Sequence, residues 1–286
     1  MANPTTSPVR TLREHTLALQ EAMTVCLSKP RPRAVHKVRT EAGRIEAQLE
    51  LLNLLKKLPS HRSETARVLR LLKKIRRAAG RVRDLDVQRK LLKPPVANNP
   101  EDPATEDAEQ QTPHSASELS ESADLTELRQ IRKRRRKRAA RKLLKLLDKR
   151  QKKLAAAFDA LLTALEPVQD LQLPAAELLQ LIDQRFRGTH ALIIRHPSSE
   201  HLHSIRKAAR VARYQAEIAP DSAAAIRAAQ RYEALQVAGG QWHDTLSLAA
   251  DAATELGDNH AAAVSFGQQR DQHLAAYRAL LERVRP

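Results

Sequence analysis

The sequence predicts an all-α protein, and three observations carry that expectation. Leu and Ala, both strong helix formers, dominate the apolar positions in place of Val, Ile and aromatics. No segment alternates with period two for long enough to be a strand. Prolines fall between long stretches of helical periodicity, where a residue that removes a donor and clashes with the preceding turn must stand.

The punctuation gives eight helices in order. The first spans about Val9 to Leu27 and is closed by Pro30 and Pro32. The second runs from about Arg33 to Lys57, stopped by Pro59, and the third from about His61 to Lys93, stopped by Pro94 and Pro95. A long fourth helix covers about Leu125 to Glu166, followed by Ala175 to Arg195, Ser199 to Ala219, Ser222 to Leu256 and Asn259 to Val284. Between the third and fourth, residues 94–128 hold five of the fifteen prolines, nine acidic residues and no Lys or Arg. Such a composition cannot repay the entropy of ordering, so 94–124 is expected to be a disordered linker. The remaining organisation is an N-terminal half over 1–93, a long basic helix over 125–166 that completes the first bundle, and a C-terminal half over 167–286.

Charge is the second theme. The chain carries 50 Lys and Arg against 33 Asp and Glu, a net charge of +17. Setting aside residues 94–128, of charge −9, leaves +26 on the rest of the chain, which draws polyanions whatever the fold. Aromatics are only 2% of residues, so base-stacking platforms are scarce. Cys26 is the one cysteine, which excludes an intramolecular disulfide and suits buried packing in a reducing compartment. No 18-residue apolar run and no N-terminal apolar core of a signal peptide occur, so no membrane span is expected.

In the third helix, Arg70, Lys73, Lys74, Arg77 and Arg81 share roughly a 100° arc opposite Leu72, Ile75, Ala79 and Val82. Like charges at this spacing repel, and a polyanion lying along the row would relieve them. From Arg129 to Lys153, fifteen of twenty-five residues are basic. Leu143, Leu144, Leu147, Leu154 and Phe158 form an apolar stripe through that run while Arg138, Lys142, Lys145 and Lys149 line another side, so this helix is expected to project basic residues beyond the bundle before docking.

An internal repeat relates the halves. Val35-His36-Lys37-Val38-Arg39 matches Leu202-His203-Ser204-Ile205-Arg206, each opening a helix after a proline-bearing loop. His36 and Arg39 share a polar face with Arg44 at its edge; His203, Arg206, Lys207, Arg210, Arg213 and Tyr214 share the corresponding face. Gly80-Arg81-Val82-Arg83-Asp84 aligns with Gly240-Gln241-Trp242-His243-Asp244. Two four-helix halves would then face each other about a pseudo-twofold axis. Asp84 and Asp244 are expected as caps or Arg-orienting groups rather than general bases. His201-x-His203 lacks a metal-site spacing, and Gly239-Gly240 lacks the Lys-Ser/Thr of a phosphate loop.

On these residues the chain closely resembles the CHAD family, the conserved histidine α-helical domain. The resemblance rests on the two His-x-x-Arg helix starts, the LHSIRKAARVARYQAE segment, GRVRDLDV and its LQVAGGQWHD partner. It departs from the family at Gly43, where a basic residue is usual, and at Gln241 and His243 in place of Arg81 and Arg83. The resemblance implies two four-helix bundles around a basic central groove that binds inorganic polyphosphate, with no catalysis and no cofactor or metal. The residues expected to bind are His36, Arg39, Arg44, Arg70, Lys73, Lys74, Arg77, Arg81, Arg83, Arg138, Lys142, Lys145, His203, Arg206, Lys207, Arg210, Arg213 and Tyr214. Polyphosphate presents no base edge to read, so many cationic donors along a path suffice, Arg as bidentate forks and Lys as point charges. A nucleic-acid binder, favoured by the Arg132–Arg138 run, and an accessory to a phosphoanhydride-cleaving enzyme are the alternatives. A cytoplasmic setting near polyphosphate granules is the expected location.

Overall fold

The computed structural model of the chain describes residues 4–56, 58–92, 123–194 and 198–284. Among these, eight α-helices account for almost all of the structure: α1 (Pro8–Ser28), α2 (Pro32–Leu52), α3 (Arg62–Leu91), α4 (Ala123–Leu165), α5 (Ala175–Ile194), α6 (Ser199–Ala216), α7 (Ala223–Leu256) and α8 (Ala261–Arg283). The all-α class expected from the sequence is what the structure shows. Residues 94–122 of the acidic segment lie outside the described residues, and α4 begins at Ala123.

Local chemistry explains the boundaries. Pro8 and Pro32 sit in the first turns of α1 and α2, where the missing N–H costs nothing. Ser198 caps α6 with a reciprocal pair: its hydroxyl accepts from the His201 amide at 3.3 Å, and its own amide donates to His201 Nδ1 at 3.3 Å. His201 is thus a capping residue. Two helices end sooner than periodicity suggests. After Leu52 the amides of Leu54 and Leu55 bond three residues back, to Leu51 and Leu52, and the last turn tightens; Ile218 and Ala219 do the same after α6, just before Pro220. A two-residue antiparallel pair, β1 (Thr5–Thr6) with β2 (Leu173–Pro174), is the strand structure that alternation did not reveal.

α1 to α4 close into a four-helix bundle, α4 packing on both α3 and α1, around Leu12, Leu19, Ile45, Leu49, Leu72, Ile75, Leu143 and Phe158. Cys26 is wholly buried there, and burial pushes its thiol pKa up. α5 to α8 pack in sequence around Ile205, Tyr232, Trp242 and Tyr277, with Leu51 of α2 joining that core. Like-numbered helices of the halves meet, α2 on α6 and α3 on α7. Across the α2–α6 seam Gln215 donates to the Ala47 carbonyl at 2.8 Å.

A third core corrects the reading of the basic run. Leu125 and Leu128 at the start of α4 pack with Leu248, Ala252 and Phe266 of α7 and α8. The Arg-rich segment therefore lies against the second half and does not project beyond the bundle. Arg132, 2% exposed, meets Asp251 at 3.0 Å; Arg135 pairs with Glu255; Arg136 donates to Asp86 at 2.9 Å and to the Pro30 carbonyl at 2.7 Å. These carboxylates lie far off in sequence, which is why the run looks unpaired when read linearly. None of the described helices is long and apolar enough to cross a membrane.

Candidate functional site

Where α2, α6 and α7 converge beside α3, polar side chains from each helix approach one another, those of α2, α3 and α6 mostly cationic. α6 supplies His203, Arg206, Lys207 and Arg210, which recur at i, i+3, i+4 and i+7 and so share one face. α2 supplies Arg39, whose Nε is 3.8 Å from where a Cβ on Gly80 of α3 would stand. α3 adds Arg76 and Arg83, which with Gly80 recur at i, i+4 and i+7 on one face. α7 adds His243 and Asp244. The His203 and His243 rings lie 4.8 Å apart.

The electrostatics are those of a centre in which cations outnumber the two carboxylates among them, Asp84 and Asp244. Burial, then the charges of Arg39 and Arg76, push Arg210 down to about 10. Burial lowers Arg206 as well, Asp244 opposing and Arg39 assisting. Lys207 is lowered by desolvation and by Arg210 and Arg206. Both histidines are pushed down to about 4, first by burial and then by Arg206 and Lys207, so they are neutral at pH 7. Neutral His203 can then accept from Arg206 Nη2 at 3.4 Å, while the buried Nε of Arg206 finds no acceptor among the described residues. Asp244 is raised to about 6 by burial, with Arg206 opposing and Asp84 adding to the rise. Neither aspartate caps a helix, because α3 and α7 run unbroken past Gly80 and Gly240.

Two glycines are there for close approach. A Cβ on Gly239 would stand 2.8 Å from Tyr277 Cζ and 3.1 Å from Arg206 Cγ, so the missing side chain lets both press against α7. Tyr277 then donates to the Leu202 carbonyl at 3.2 Å, holding α6 to α8. A Cβ on Gly43 would stand 3.1 Å from Tyr214 Cε2, which accounts for glycine where the family resemblance leads one to expect a basic residue.

The sequence-derived candidates divide into three groups. His203, Arg206, Lys207 and Arg210 gather with Arg39 and Arg83. Arg44, Arg213 and Tyr214 adjoin them but have protein partners: Arg44 bonds Glu41 at 3.0 Å and Glu217 at 3.1 Å, Arg213 bonds Glu217 at 2.7 Å and Glu233 at 2.8 Å, and both guanidinia lie over the buried Tyr214 ring. His36 is exposed one turn before Arg39, near Thr40. Arg70, Lys74, Arg77 and Arg81 are exposed on α3, turned away from the Arg76–Arg83 face; Lys73, also exposed, lies one turn before Arg76 at the edge of that face; and Arg138, Lys142 and Lys145 are exposed on the side of α4 opposite Leu143 and Leu147. Sequence reasoning missed Arg76, paired to Glu46 at 2.6 Å, because the more regular row beside it drew the eye. It also passed over His243, which the Gly80/Gly240 repeat had placed opposite Arg83.

A family model described as the CHAD domain matches residues 10–253. Among solved structures, the chain is similar to the crystal structure of the CHAD domain from the plant Ricinus communis, with a TM-score of 0.64 and 16% sequence identity over 100% of this chain and 94% of that one. It is also similar to PptA from Streptomyces chartreusis, with a TM-score of 0.58 and 18% identity over 97% of each chain. No curated protein matches it.

Proposed function

Since the chain belongs to the CHAD domain family, we propose that it binds inorganic polyphosphate, without catalysis, on the basic cluster where α2, α3, α6 and α7 meet. The observation that carries this reading is the convergence of Arg39, Arg206, Lys207 and Arg210 around two neutral histidines, with the Arg206 and Arg210 pKa values lowered first by burial and further by neighbouring cations. An anion delivered there relieves the repulsion and meets donors already desolvated, whose charge-assisted bonds contribute about 1.5–3 kcal/mol each. The exposed rows on α3 and α4 would extend the positive path for the rest of a long chain, at the lower value of solvated pairs. The chain carries no Glu-x-Glu-x-Lys pattern of the kind a triphosphatase uses to hold its metal, and the reading assigns it no hydrolytic step.

Nucleic-acid binding is weaker on physical grounds. The run that favoured it has Arg132, Arg135 and Arg136 tied to Asp251, Glu255 and Asp86. The test compares Arg206→Gln/Arg210→Gln with Lys152→Gln/Lys153→Gln, each pair removing two charges, in titrations with long-chain polyphosphate, tripolyphosphate, duplex DNA and single-stranded RNA at about 0.15 M salt. The cluster pair should lose about 10-fold or more in polyphosphate affinity and the α4 pair little. Equal losses in two folded variants would leave net charge as the whole cause, and preference for DNA over polyphosphate would reverse the assignment.

A further inference from the structure

At the end of α6 one carboxylate sits where the row of cations would otherwise continue. Arg210 of the cluster stands one turn before Arg213 and Tyr214 on the same helix. Glu217, which closes α6, reaches back over that turn and accepts from two helices at once. Its Oε2 accepts from Arg44 Nε at 3.2 Å and Nη2 at 3.1 Å, and its Oε1 accepts from Arg213 Nε at 2.7 Å. Both guanidinia lie over the buried Tyr214 ring, 5.6 and 6.0 Å from its centroid.

Neither guanidinium depends on Glu217 alone for its position. Arg44 Nη1 also donates to Glu41 at 3.0 Å, and Glu41, its side chain 6% exposed, is held in turn by His15 Nδ1 at 2.7 Å. Arg213 Nη1 pairs with Glu233 at 2.8 Å. The two forks are braced from either side, and Glu217, its side chain 26% exposed, joins them while keeping access to water. A carboxylate bridging two Arg forks meets the donors that two phosphate oxygens would meet, so its place fits a tetrahedral anion.

We propose that Arg44, Arg213 and Tyr214 form a further phosphate subsite at the end of the cluster, and that Glu217 occupies it as an internal competitor which a long polyphosphate displaces and a short one does not. The inference rests on the polyphosphate reading and adds a length selectivity to it. From Arg206 to Arg213 the helix rises about 10 Å, so two phosphates seated between Arg206 and Arg210 do not extend to Glu217 and meet no competition. A long chain anchored there presents its next phosphates to the subsite at an effective concentration on the order of millimolar, which drives the exchange of one anion for another between the same forks. Glu217 therefore sets how much a chain gains by running past Arg210.

The test titrates the full chain with long-chain polyphosphate and with pyrophosphate by calorimetry at about 0.15 M salt, in wild type, Glu217→Gln, Glu217→Asp and Glu282→Gln. Glu282, exposed on the last turn of α8, controls for the loss of one negative charge. Glu217→Asp keeps the charge and draws the carboxylate back by one methylene, so that it no longer spans both forks. Glu217→Gln should bind the long chain at least about 5-fold tighter than wild type, Glu217→Asp should change in the same direction, and pyrophosphate affinity should stay within about 2-fold throughout. In Arg44→Gln/Arg213→Gln the long chain should bind more weakly, and a further Glu217→Gln should add nothing; if that background does not fold, the charge-conserving Glu217→Asp decides. A gain in Glu217→Gln no larger than in Glu282→Gln, an equal gain for pyrophosphate, or long-chain affinity in Glu217→Asp at or below that of wild type would each overturn the inference, leaving Glu217 as a clasp between α2 and α6 or as net charge alone. Absence of wild-type binding to long-chain polyphosphate would overturn the polyphosphate reading and this one with it, whereas wild-type binding without the gain overturns this one alone.

Discussion

Lowering the pH from 7 to 5 at fixed ionic strength should tighten long-chain polyphosphate binding by about 3- to 20-fold, with uptake of about one proton by the histidine pair. In the free protein His203 and His243 are held down to about 4, by burial first and then by Arg206 and Lys207. A polyanion across those cations removes the second cause and moves the pair back toward the ordinary value of about 6.5. A group whose pKa rises on binding takes up a proton on binding, so affinity grows as pH falls through that window. Full restoration from about 4 to about 6.5 corresponds to roughly 20-fold between pH 7 and pH 5, and half the restoration to roughly 3-fold. Only one imidazole charges, because two cations at the 4.8 Å ring separation repel by about 3.5 kcal/mol at an effective dielectric of about 20, or about 2.5 pH units. Asp244, raised to about 6, loses its negative charge over the same range and adds to the effect. Calorimetry in two buffers of different ionisation enthalpy reads the protons directly. His203→Gln/His243→Gln should flatten most of the profile, and Asp244→Asn in addition the remainder. A wild-type profile preserved in the histidine double variant would refute the reasoning.

Arg136→Met should cost about 3–5 kcal/mol in denaturant unfolding, since it strands Asp86, whose side chain is 4% exposed, without its cation; Arg136→Met/Asp86→Leu should recover most of the loss, and equal stability of the single variant and wild type would count against the buried pair. Gly239→Ala should lower stability by about 1–3 kcal/mol through overpacking against Tyr277 and weaken polyphosphate binding as Arg206 shifts, so an unchanged melting temperature would show that the seam gives way freely. Polyphosphate affinity should fall with a log-log salt slope of several units and be much weaker for tripolyphosphate than for a long chain; matching affinities would exclude an extended contact.

The helices were legible because proline and apolar periodicity act locally: Pro8, Pro32, Pro59 and Pro220 each mark a boundary within a few residues of the observed one. The α6 half of the cluster was legible for the same reason, its basic residues falling on one face of one helix. What sequence could not convey is which charges are already neutralised. Arg44 and Arg213 look like Arg206 and Arg210 on a helical wheel, and what separates the paired from the unpaired is Glu217, which both share, together with Glu41 and Glu233. The Arg132–Arg136 segment was misread likewise, its carboxylate partners lying on α3 and α7. Gly43 and Gly239 signalled nothing by themselves, because their role depends on a ring arriving from another helix.

The 43 residues of α4 make one rigid member serve two cores: its later turns close the first bundle, and its opening turn, through Leu125 and Leu128, belongs to the contacts of α7 and α8. On the ribosome those contacts arrive late. When α4 emerges, Leu125 and Leu128 have only Leu92 of their core, and the guanidinium of Arg132 lacks Asp251, until more than a hundred residues beyond them are synthesised, at about 5–20 residues per second. For those seconds the nascent chain displays an apolar, strongly cationic helix end beside an incomplete protein. Fragments that stop after α4 inherit that exposure permanently, and they should aggregate or adhere to ribosomal RNA where the whole chain does not.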